Sequence, residues 1–303
     1  MAFGDRKDGK LVRDIDGMHF ICPIIYPNRC DNEAFIYEKI DLTNVNKYLK
    51  KKNKDNPEYK YNLFQVIITT MSKVLYLRPK MNYFIQNSNL YERNDKSISF
   101  VVKKKMDEKS GEGLAFVHLK EDYNIDTIHN EIKDIIYSQR SGGSDGSSDS
   151  MDMFLKMPRF IGKFLVHIIM FLDRHGWVPK FLIESDPYYS SVVLTNLGSI
   201  KMHAGYHHLT NWGTNSIFLA IGEEKLRAFF DESGKATMKD SVDIGFTIDE
   251  RIANGFYYSK TIELFKYILE NPELLEEPLN KEIAICQESK QTKSKKKTTT
   301  KKK

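Results

Sequence analysis

The ten residues Phe246–Gly255, FTIDERIANG, decide how this chain is read. They sit between SVDIGFTID, whose alternation predicts a strand, and FYYSKTIELFKYILENPELLEEP, whose apolar spacing predicts a helix. A strand therefore hands the triplet Asp249-Glu250-Arg251 to a turn. Whether Glu250 does chemistry is the question the stretch raises.

Working outward, SSVVLTNLG and NSIFLAIGEE read as strands, as do SISFVVKKKM and GLAFVHLKE around a glycine-containing turn at Ser110–Gly113. AFIYEKIDLTNVNKYLKKKNKD alternates through Phe35–Ile40 and then becomes a helix capped by Thr43 or Asn44. NLFQVIITTMSKVLYLRPKMNYFI is an amphipathic helix that has to stop before Pro79. Another helix is expected from Asn124 to about Tyr137, followed by the Gly/Ser-rich linker 138–150. Strands and helices interleave throughout and no internal repeat is present. The fold class is α/β with a mixed sheet.

At 303 residues the chain is long enough for a sizeable core, and 41% hydrophobic with 12% aromatic residues makes it globular. The formal charge of +5 comes from the terminal stretch 290–303, which holds eight lysines and no acid; the remainder is net negative. The tail reads as solvated and disordered, and the body has no basic signature, so no nucleic acid is expected. Cys22, Cys30 and Cys286 are odd in number and scattered, which excludes a disulfide framework and a cysteine metal set. No metal is expected. The opening MAFGDRKDGK is polar and lacks a signal sequence, so the expected compartment is the cytoplasm.

Four pieces in order carry a resemblance: the strand–helix at 35–52, RPKMNYFIQNSNLYERNDKSISFVVKKK, VVLTNLGSI, and IDERIANG followed by YILENPELLEEP. Together they resemble the catalytic domain of the dihydrolipoamide acyltransferases of 2-oxo acid dehydrogenase complexes. The resemblance runs from about Ala34 to Pro278 with an interruption at about 138–190. It implies the chloramphenicol acetyltransferase-like two-layer sandwich, a mixed sheet covered by helices, with a single catalytic domain over 1–289. It also implies a homotrimer with active sites between subunits, and coenzyme A or acyl-CoA as substrate.

In that family the last motif is Asp-His-Arg-x-x-(Asp/Asn)-Gly, matched here by Asp249, Glu250, Arg251, Asn254 and Gly255. The histidine is the family's general base, which takes a thiol proton so that the thiolate attacks an acyl thioester. Here Glu250 stands in its place. The resemblance makes Thr195 the hydroxyl that steadies the tetrahedral oxyanion, and Asp249, Arg251 and Gly255 the residues that position the loop. A thiol ionises near ~8.5, imidazole near ~6.5 and a glutamate near ~4.3, so the exchange widens the proton-transfer mismatch by about 2 units, or ~3 kcal/mol. Burial is able to recover much of that. GYHHLTNWG places His207 and His208 after Thr195, so an imidazole from a neighbouring subunit, oriented by Glu250, is a second route to the base. The other reading of the exchange is a catalytically inactive relative acting as an assembly, ligand-sensing or membrane-surface protein.

No lipoyl domain or subunit-binding domain is read before the core, which favours direct use of coenzyme A. Residues 151–185 form a helical insertion. From Arg159 to Arg174 it is apolar on most sides, with Arg159, Lys163, His167 and Arg174 on one stripe and Gly176 suited to end the helix. The run is shorter than the ~20 residues needed to span a bilayer. It is expected to pack its apolar face against its own sheet or a neighbouring subunit; the membrane surface, or another protein partner, is the alternative. The remaining single histidines His19, His118 and His129 read as structural, and the Glu121-Asp122 and Glu223-Glu224 pairs as solvated charge.

Overall fold

The computed structural model describes residues 3–103, 112–140 and 156–284. The linker from 141 to 150, the first five residues of the expected insertion, half of the Ser110–Gly113 turn, Cys286 and the lysine tail lie outside these.

The described residues build a seven-stranded mixed sheet in the order β2-β10-β8-β7-β5-β6, with β9 paired to the outer half of β10. The strands are β2 (Glu33–Asp41), β5 (Ser97–Lys103), β6 (Glu112–His118), β7 (Val192–Asn196), β8 (Ile217–Ile221), β9 (Lys225–Phe230) and β10 (Ala236–Asp249). The β5–β7 and β7–β8 pairs are parallel and the rest antiparallel. A second, three-stranded antiparallel sheet joins β1 (Gly9–Leu11), β4 (Asn89–Arg93) and β3 (Tyr83–Gln86). The helices are α1 (Gly17–Ile25), α2 (Thr43–Lys52), α3 (Leu63–Leu77), α4 (Ile125–Arg140), α5 (Arg159–Arg174), α6 (Lys180–Ser185) and α7 (Gly255–Glu270).

One face of the large sheet is the core. Val242, Ile244, Phe246 and Ile248 of β10 point into it with Ile217, Leu219 and Ile221 of β8, against α3 and α7. Strand periodicity sends their alternate neighbours to the opposite face. There the irregular segment 201–215 crosses so closely that a Cβ on Gly245 would sit 2.4 Å from Gly205 O. Only glycine fits that crossing.

Several local expectations need correction. The strand at 35–40 does lead into a helix, but Thr43 is its first residue rather than its cap, and Asp41 accepts from Thr43 N at 2.8 Å. Helix α3 stops at Leu77, before Pro79, yet it is buried on nearly every side rather than amphipathic, because the sheet, α4 and α7 enclose it. Helix α4 continues to Arg140, into the first residues of the expected linker.

Helix α5 spans the apolar run Arg159–Arg174, and Gly176 ends it at φ 70°. It does not pack on its own sheet: Phe160, Phe164 and Phe171 are more than half exposed. The core face is already filled by α3 and α7, and α5 is tethered by its end instead. Buried Asp173 accepts from Arg6 Nη2 at 2.7 Å and from Gln86 Nε2, and Asp8 holds the other side of the Arg6 guanidinium. Among the described residues no helix is long and apolar enough to cross a membrane.

Candidate functional site

Strand β10 ends in Asp249, which is fully buried. Its carboxylate accepts from Arg251 Nε at 2.8 Å and Nη2 at 2.7 Å, a bidentate clamp two residues long. Arg29 Nε lies 3.8 Å from the same carboxylate. The Arg29 guanidinium also donates to Thr210 O, Gly213 O and Ile85 O. Burial pushes the Arg29 pKa down, and Asp249 opposes that shift.

With residues 249 and 251 turned inward, Glu250 between them turns out. Its N–H donates to Asn32 O at 2.9 Å, and Asn32 Nδ2 donates to Tyr26 O at 3.1 Å, at the end of α1. Beyond the turn, Asn254 caps α7, its side chain accepting from Tyr257 N at 2.9 Å. The Tyr258 hydroxyl donates to Asp249 O and accepts from Ala253 N, closing the loop from below. A Cβ on Gly255 would meet nothing within 4 Å, so its neighbourhood within the chain is open.

Glu250 borders a cavity of about 710 Å³ between α1, the edge strand β2 and the flank of α7. Ala34 and Ile36 line the β2 wall, and the Lys266–Glu38 ion pair at 2.8 Å also borders the cavity. The α1 wall presents Met18, His19 and Cys22.

Thr195 lies elsewhere. It is level with Ala220 of β8, which faces Gly245 of β10, five residues short of Glu250. At ~3.4 Å per residue that is about 17 Å along the strand, with two strand spacings across. Val192 and Leu194 point into the core, so Thr195 faces the opposite side of the sheet. On that side His207 stacks on Phe218 at 4.7 Å, where burial lowers its pKa, and His208 is exposed. Within one chain, then, Glu250 and Asn254 share a cavity, while Thr195, His207 and His208 stand apart from it.

His19 is the feature that sequence reading passed over as structural. Asp16 caps α1 and accepts from both His19 N, at 2.9 Å, and His19 Nδ1, at 2.8 Å. The signal was present as an aspartate three residues before a histidine at a helix start.

The fold has counterparts among solved structures. A probable dihydrolipoamide acetyltransferase from Listeria monocytogenes aligns over 86% of this chain and 95% of its own, at TM-score 0.55 and 14% identity. Azotobacter vinelandii dihydrolipoamide acetyltransferase aligns over 87% and 93%, at 0.56 and 11%. A chloramphenicol acetyltransferase aligns over 87% and 98%, at 0.52 and 13%. The chain has the chloramphenicol acetyltransferase-like fold. In this acyltransferase fold the Glu250 turn is the link from the sheet's last strand to the helix behind it. No protein-family model matches the sequence, and no curated protein matches it either.

Proposed function

We propose that this protein binds coenzyme A thioesters and transfers their acyl group to a thiol or another acceptor, at a site shared between the subunits of a homotrimer. The observation that carries the reading is the Asp249–Arg251 clamp, which presents Glu250 at an open cavity on an acyltransferase fold. The A. vinelandii protein has been investigated for catalytic roles of a serine, a histidine and an asparagine, the last two four positions apart. Glu250 and Asn254 have that spacing, and Thr195 keeps a hydroxyl upstream.

The separation of Thr195 from Glu250 within the chain is the reason for the trimer. A hydroxyl that stabilises an oxyanion has to sit about 3 Å from it, so Thr195 acts on the cavity of a neighbour. Cyclic closure repeats that pairing at every interface. We read residues 1–289 as one domain, with α5 as a contact surface for a neighbouring subunit. Its exposed phenylalanines and basic stripe also fit an anionic membrane surface.

A second reading is favoured by one observation. His207 stacks on Phe218 and does not border the Glu250 cavity, so no motif histidine stands beside Glu250 among the described residues of one chain. A relative that binds coenzyme A without turnover would have that arrangement. Calorimetry of the full chain with coenzyme A, followed by an acetyl-transfer assay, separates the two. Binding with transfer supports the enzyme, binding alone supports the silent relative, and absence of binding overturns both.

A further inference from the structure

The Glu250 cavity contains an imidazole that the motif does not supply. His19 lines it from α1, three residues before Cys22 and on the same helical face. Its Nδ1 is engaged by Asp16 at 2.8 Å, and its side chain is only 13% exposed. That contact leaves Nε2 as the nitrogen available to a ligand, the arrangement by which a carboxylate fixes the tautomer and direction of a general base.

Helix α1 is tied to the turn that carries Glu250. Arg251 Nη1 donates to Tyr26 O at 2.8 Å, just past the last turn of α1. Asn32 donates to the same carbonyl and accepts from Glu250 N. His19 and Glu250 are thus held on two walls of one cavity by a common hydrogen-bonded frame.

We propose that His19, oriented by Asp16, is the proton acceptor of this site, replacing the histidine that position 250 lacks. The proposal rests on the acyl-transfer reading above. His19 Nε2 takes the proton of the acceptor thiol. The thiolate sulfur bonds to the acyl carbonyl carbon, the carbon–sulfur bond to the departing thiol breaks, and that thiolate recovers the proton from the imidazolium. No proton or electron is gained or lost overall. Glu250, across the cavity, stabilises the transient imidazolium. The charged groups that border the cavity with His19 are Glu250 and Arg251 on the turn, Glu38 on β2, and Glu263 and Lys266 on α7, while Asp16 holds His19 from the cap of α1.

The test uses the full chain, with acetyl-CoA as donor and dihydrolipoamide as the acceptor thiol. His19→Gln is expected to lower kcat by at least ~100-fold while coenzyme A binding stays within about twofold, the range expected for loss of a general base. His19→Ala should regain part of the rate when free imidazole is added, which a merely structural histidine would not do. Asp16→Asn should lower kcat without raising the KM for acetyl-CoA, since the imidazole loses the carboxylate that orients it. Transfer by His19→Gln equal to wild type overturns the assignment, as does wild-type protein that binds coenzyme A but transfers nothing. Failure of wild type to bind coenzyme A overturns the acyl-transfer reading itself, and this proposal with it.

Discussion

Arg251 joins Asp249 to Tyr26: one guanidinium holds the buried carboxylate at 2.7 and 2.8 Å and donates to the Tyr26 carbonyl at 2.8 Å. The end of β10 and the end of the N-terminal helix are therefore one unit. Glu250 and His19 are mounted on its two sides, which fixes the two walls of the cavity relative to each other.

Removing Asp249 should be among the most damaging single changes in the chain. Asp249→Ala leaves two buried guanidiniums, Arg29 and Arg251, without their shared anion. A broken buried pair costs about 3–5 kcal/mol, and the urea midpoint should fall accordingly. A loss below about 1 kcal/mol would mean that the clamp does not hold the turn.

Glu250 should behave differently, because its side chain is exposed and carries none of the frame. Glu250→Gln is expected to leave stability within about 0.5 kcal/mol and to slow acetyl transfer roughly tenfold. Placing Glu250→His in the His19→Gln background should restore transfer, since an imidazole returns to the cavity. A double variant as slow as His19→Gln alone would show that the two walls are not interchangeable.

The assembled protein should have three times the 35.3 kDa mass of the chain in light scattering. Phe164→Asp with Ile168→Asp should weaken that association without lowering the stability of the subunit, because both side chains are solvent-facing within the chain. A strict monomer at micromolar concentration removes the shared site. Unchanged association of the variant, with pelleting of a chain ending at residue 289 on anionic vesicles, would assign α5 to the membrane surface instead.

Stability should decline in acid because of His129 and His207, whose pKa values burial pushes below the usual range. The unfolded chain then takes up protons first as pH falls through ~6.5, so stability is lost progressively below that pH. His118 works the other way: its hydrogen bond to Asp95 raises its pKa, and its contribution is lost as pH rises through that raised value. More than half exposed, it contributes little. Urea midpoints between pH 8 and 5 should fall in the wild type. They should fall less in His129→Phe, which keeps the stack on Tyr61. Equal slopes would exclude His129 as a source.

The sequence by itself determined the mixed α/β class, the strand entering FTIDERIANG, the helix over 159–174 and the glycine that ends it. Each is written in a local period or a local backbone requirement. Asp249, Arg251 and Asn254 were legible through the resemblance of their motif, and part of their bonding is local, Arg251 to Asp249 and Tyr257 N to Asn254. Only the tertiary structure decided what surrounds Glu250. The α1 helix carrying His19 reaches that cavity through hydrogen bonds between residues more than two hundred positions apart, and no periodicity records such a pairing. It also decided that Thr195 and His207 face the other side of the sheet. Val192, Val193 and Leu194 are all apolar, so the strand's own pattern does not say which side Thr195 takes, and His207 lies in an irregular segment with no period.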